Sequence, residues 1–86
     1  MSFKEQMLQC FSNALKYNQQ FIAVVVELPN GHEELIINRR ASILDKIMYY
    51  EENYDDNLVK IDCPEIKIVT FTSGNSLFSI EGDLFE

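Results

Sequence analysis

The side chains with chemical potential are few and scattered. They are His32, Cys10 and Cys63, the adjacent pair Arg39-Arg40, and the carboxylates of Glu51-Glu52-Asn53-Tyr54-Asp55-Asp56. His32 follows the turn sequence Pro29-Asn30-Gly31. General-base work needs a positioned partner, and metal binding needs Cys or His companions at ligand spacing. His32 has neither nearby, so it reads as a solvated loop residue. The two cysteines lie far apart among apolar neighbours. They read as small buried hydrophobes, with a disulfide as the lesser alternative. Arg39 and Arg40 stand just before an expected helix, where two guanidinium groups could hold a phosphate or carboxylate. They are candidate anion-site residues, against the plainer reading of a solvated loop that offsets local acidity.

The acidic run admits three readings. The plainest is a solvated helix end. A hard cation is another, but the run lacks the alternating oxygen ligands, central glycine and closing glutamate of an EF-hand loop. The third is a protein-contact surface made of Tyr50, Glu51, Glu52, Tyr54, Asp55 and Asp56, because tyrosine combines contact area with a polar tip. No phosphate-binding glycine loop, nucleophile elbow, H-E-x-x-H or paired C-x-x-C pattern occurs. With one His, two Cys and three Gly, the common catalytic constellations lack their parts. The expectation is a non-enzymatic protein with no cofactor.

The elements that position these residues follow from apolar spacing. Phe21-Ile22-Ala23-Val24-Val25-Val26-Glu27-Leu28 is the most apolar run. Its β-branched side chains favour a strand, and apolar residues at both parities predict a central one. Pro29-Asn30-Gly31 then predicts a turn into a second strand over His32–Asn38, closing a β-hairpin. Ser2-Phe3-Lys4-Glu5 has capping-box form and predicts a helix from Phe3 to about Tyr17. Along it, Phe3, Met7, Cys10, Phe11, Ala14 and Leu15 form one apolar stripe. Ser42 is the expected N-cap of a second helix over Ile43 to about Tyr54, with Asp45 favouring its dipole. Leu58–Ile61 reads as a short extended piece that Pro64 stops. Glu65–Thr72 reads as a third strand, ended by Ser73-Gly74-Asn75. The tail from Ser76 fits a short helix through Leu77, Ile80 and Leu84, although Ser76–Ile80 could instead pair as a strand. Phe78, Leu84 and Phe85 there must dock or remain sticky.

Residues 1–86 therefore predict a single α+β domain in α-β-β-α-β order with a short C-terminal element. Its three-stranded, mainly antiparallel sheet is packed against two helices. A chain of 86 residues buries roughly 60% or slightly more of its extended surface, which leaves little margin of stability. A hydrophobic fraction of 47% places it among globular chains. No apolar run approaches a membrane span, and the start lacks a signal-peptide core, so a cytoplasmic setting is expected. Acidic residues outnumber basic ones 14 to 7, for a net charge of -7. That charge argues against direct binding to nucleic acid or an anionic membrane and suits a partner protein with a basic surface. The apolar hairpin and tail raise a second possibility, a self-assembling homo-oligomer.

The combination Ile36-Ile37-Asn38, Tyr49-Tyr50, Tyr54-Asp55-Asp56-Asn57-Leu58, Ile66-Lys67-Ile68 and Ser76-Leu77-Phe78-Ser79-Ile80-Glu81 resembles small uncharacterised proteins from phages and mobile elements of Gram-positive bacteria. The likeness spans roughly residues 20 to 86. It implies a bacterial cytoplasmic setting and an α+β fold, and it carries no functional site.

Overall fold

The computed structural model describes residues 1–78, 80 and 82. The apolar run forms β1 (Phe21–Glu27), and the hairpin continues into β2 (Glu33–Arg39). The loop is built as its residues suggest. The Gly31 N–H donates to the Leu28 carbonyl, and the Leu28 N–H to the His32 carbonyl. Gly31 has φ of 84°, a left-handed conformation that glycine adopts without Cβ strain. β3 (Lys67–Gly74) pairs on the other side of β1, giving an antiparallel sheet in the order β2-β1-β3. The long apolar run is thus the central strand, and Ile22 through Val26 are all buried.

β3 lies two residues later than the expected Glu65–Thr72. Ser73 and Gly74 resemble chain breakers, but here they pair with Ile22 and Phe21. The register shifts between Val25 and Val26, leaving Val69 as the extra residue of a bulge.

One face of the sheet carries the main core. Ile22, Val24 and Val26 meet Ile68 of β3 and the Met7–Phe11–Ala14 stripe of α1 (Phe3–Lys16). Burying each valine or isoleucine contributes about 1.5–3 kcal/mol. α2 (Ile43–Asn53) packs against α1 and joins the same core as the sheet through Ile43 and Tyr50. Aromatic rings connect the layers. Phe71 of β3 lies 5.5 Å from Phe3 and 6.2 Å from Phe11, and Phe11 lies 6.1 Å from Tyr50. Ala23 and Val25 belong to the opposite face, because side chains alternate along a strand.

The helix ends differ in how they are sealed. Ser2 caps α1, its Oγ accepting from the Glu5 N–H at 3.1 Å. At the far end Asn18 takes φ of 57°, Asn18 N–H donates to the Leu15 carbonyl, and Gln19 N–H to the Ala14 carbonyl. This is a Schellman closure with asparagine in the left-handed position. Ser42 does not cap α2 as expected. It ends a 3-10 turn, Arg40–Ser42, that runs straight into the helix, so its side chain makes no capping bond.

Between α2 and β3 the chain folds back on itself. Tyr54 pairs with Lys60 and Val59 with Lys67, so the expected extended piece at Leu58–Ile61 is a short flap beside β3. Asp55 organises it: Oδ1 accepts from Asn57 and Val59 N–H groups at 2.9 and 3.0 Å. Leu58 is held at φ of 59° with its side chain fully buried. In the tail, Leu77 and Phe78 are helical, and Ile80 N–H donates to the Ser76 carbonyl. The expected helix therefore begins as read, while Ser79, Glu81 and the anchors Leu84 and Phe85 lie outside the described residues. Both cysteines are free and only half-buried.

Leu58 locks the flap into the core. Leu58→Ala should cost about 2–5 kcal/mol in urea unfolding, because it empties a filled site. A loss under about 1 kcal/mol, the ordinary size of a surface change, would show that the flap does not contribute to the core.

Candidate interaction surface

The residues expected to form a single contact surface divide between core and solvent. Tyr50 and Tyr54 are 3% and 4% exposed and belong to the core. Their rings lie 5.7 Å apart, and Tyr49 flanks both at 5.5 and 6.3 Å. They therefore leave the candidate surface. Glu51, Glu52, Asp55 and Asp56 remain exposed. The Asp55 carboxylate has a local role as well, bonding loop amides through Oδ1. Among the described residues no group of three or more His, Cys, Asp or Glu side chains is placed to share a metal ion.

The outer face of α2 adds apolar residues to these charges. Leu44 and Met48 are 59% and 55% exposed, and they neighbour each other at i and i+4. At about 100° per residue, they fall roughly 100–140° around the helix from Ile43. Glu51 lies on one side of this pair, and Glu52 and Asp45 on the other. Tyr49 is exposed on the adjoining side of α2, beyond Glu52 and Asp45, with the Lys46 ammonium 5.1 Å from its ring centre. Ile61, also exposed, is tied to the end of α2 by its N–H bond to the Asn53 carbonyl. The result is an apolar stripe framed by carboxylates. Helical spacing alone puts Leu44 and Met48 next to the buried side of α2. The signal that separates them is their angular distance from Ile43, Ile47 and Tyr50.

The arginine pair also separates. Arg39 is exposed. Arg40 turns back to the end of α1, where Nη1 donates to the Ala14 and Gln19 carbonyls at 3.2 and 3.4 Å. Its Nη2 donates to the Leu15 carbonyl at 2.9 Å. These are carbonyls at the negative end of a helix, so the guanidinium is well placed there. The candidate anion clamp thus loses one of its two groups to a structural task. His32 is an exposed loop residue whose backbone N–H bonds Asn30 Oδ1.

Lys4 performs the matching task at the other helix. Its Nζ donates to the Glu51 and Tyr54 carbonyls at 2.6 and 2.8 Å, and its N–H to the Asp56 carbonyl. The acidic segment is therefore held in place from the start of α1.

Burial sets the chemistry of the tyrosines. Desolvation, then the neighbouring Tyr54 and Tyr49, pushes the Tyr50 hydroxyl from its ordinary 10 to about 12. Burial likewise raises Tyr54, helped by Tyr49 and Asp62. Burial also raises the Cys10 thiol, partly offset by its contact with Ser73.

Comparison with known proteins finds no matching family model, no matching curated protein and no matching solved structure. No helix among the described residues is long and apolar enough to cross a membrane.

Arg40→Met should lower stability by about 1.5–3 kcal/mol, the range for hydrogen bonds to a charged group. Arg40→Lys should recover only part of it, since one ammonium does not reproduce the planar fork. Equal stability of all three proteins would contradict the capping role. The tyrosines generate a pH prediction. The folded state holds Tyr50 neutral with a raised pKa, so this contribution is complete below pH 10 and is lost as pH rises through about 12. The urea midpoint should fall across that window, and Tyr50→Phe should lessen the fall; an unchanged slope in the variant would contradict the assignment.

Proposed function

We propose that this chain is a non-enzymatic interaction protein whose α2 face docks on a basic surface of another protein. The observation that carries this reading is the exposed Leu44–Met48 stripe framed by Asp45, Glu51 and Glu52. Asp55 and Asp56 follow it in the next loop. Apolar area supplies adhesion, and surrounding carboxylates steer a basic partner and set its orientation. The contact surface is thus displaced from the tyrosines to the outer side of α2. Glu51, Glu52, Asp55 and Asp56 are retained from the sequence expectation, and Leu44, Asp45 and Met48 are added.

The net charge of -7 supports a protein partner over nucleic acid or an anionic membrane, whose own charges would repel it. The resemblance to small phage and mobile-element proteins supports a bacterial cytoplasmic setting. Occupying a basic groove on a host or phage protein is one role this surface suits. Neither a nucleophile–base pair nor a cofactor is needed for it.

The test is a tagged pull-down from bacterial lysate using the wild-type chain and two folded variants. One variant is Leu44→Ser with Met48→Ser, and the other is Glu51→Gln with Glu52→Gln. A captured basic protein should be lost with the first variant, weakened with the second, and released between about 0.05 and 0.5 M salt as exposed charges are screened. Capture unaffected by both variants and by salt would contradict the proposed surface.

A further inference from the structure

Among the described residues β2 has one strand partner, β1, and its other edge is open. Leu28 N–H donates to the His32 carbonyl at one end of the hairpin, and Arg40 N–H to the Gln20 carbonyl at the other. Hydrogen-bonded pairs alternate along an antiparallel ladder. The register then assigns Glu34, Ile36 and Asn38 to bonding with β1. The amides and carbonyls of Glu33, Leu35, Ile37 and Arg39 point away from β1, and among the described residues no strand pairs with them.

The other edge of the sheet is defended. Beside β3, the Lys60 N–H bonds the Ile66 carbonyl and the Ile68 N–H bonds the Leu58 carbonyl, so the flap covers its start. The bulge at Val69 then interrupts its regular pairing edge. β2 has neither device. It is a regular strand with Leu35, Ile36 and Ile37 in succession, all partly exposed.

The geometry points to a second copy of this chain as the occupant of this edge, added antiparallel about a two-fold axis beside Ile36. That register makes the outward residues partners of one another. Leu35 faces Ile37 of the second copy, and Glu33 faces Arg39 of the second copy. By symmetry each contact occurs twice, and the backbone bonds form between the groups that are open. Glu33, Leu35, Ile37 and Arg39 share one sheet face with Val25 and Ala23, so the ion pairs flank an apolar centre. Slipping by two residues either way sets Glu33 opposite Ile37 or Arg39 opposite Leu35, and the charge match is lost.

Charge within one protomer favours the same register. Glu33 lies across from Glu27, whose carboxylate is paired with Lys67 at 3.5 Å. Among the described residues neither Glu33 nor Arg39 has an ion-pair partner of its own. Dimerisation provides each with one. The result is a continuous six-stranded sheet, independent of the α2 face and compatible with its use.

Sedimentation of the full chain tests this directly. The wild type should move from one to two chain masses between low and high micromolar concentration. Glu33→Arg or Arg39→Glu alone places like charges opposite each other at both symmetric positions, and should weaken the dimer about tenfold or more. The double variant Glu33→Arg with Arg39→Glu should restore it. As a readout free of mutation, hydrogen exchange at the Leu35 and Ile37 amides should slow as wild-type concentration rises. A wild-type chain that stays monomeric at high micromolar concentration would overturn the proposal. So would a dimer indifferent to the single swaps, a folded double variant without rescue, or exchange at those amides independent of concentration.

Discussion

β1 is hydrogen-bonded along both edges and buried on both faces, and the rest of the fold is arranged to allow this. A strand with five consecutive buried side chains cannot stand at the margin of a one-sided sheet. The hairpin supplies its first neighbour at once. The second comes from the far end of the chain, with α2 and the flap lying between β1 and β3 in sequence. α1 covers the face formed by Ile22, Val24 and Val26. α2 enters the same core through Ile43 and Tyr50. It leans on α1 and presents Leu44 and Met48 outward.

The two helices are also fastened at their ends by exchanged cations. Lys4, in the first turn of α1, bonds the closing carbonyls of α2. Arg40, just before α2, bonds the closing carbonyls of α1. The beginning of each helix therefore lies beside the end of the other. Neither helix is followed directly by glycine, and the charges take over part of the closing role glycine often plays.

Much of this was legible in the sequence, for local reasons. The valine run declared a central strand, Pro29-Asn30-Gly31 declared the turn, and Ser2 with Glu5 declared the start of α1. What escaped were features set by distant partners. Arg40 finds its acceptors 21, 25 and 26 residues away, which no local pattern reveals. Tyr50 and Tyr54 stand among carboxylates in sequence, yet their rings turn inward to Phe11 and to each other. Ser73-Gly74 would break an isolated strand, but pairing with the start of β1 extends β3 through them. For the candidate surface, the acidic residues could be read from the chain, while their apolar companions needed the helix to be placed in space.

Native-state hydrogen exchange measures the claim about β1 most directly. If β1 is the element on which the fold depends, the amides of Ile22 through Val26 should exchange only through global unfolding. Their opening free energy should then equal the equilibrium unfolding free energy and share its denaturant dependence. If those amides open at lower free energy than the amides of α1 and α2, the helices form the last structure to be lost, and β1 is not the strand around which the domain is built.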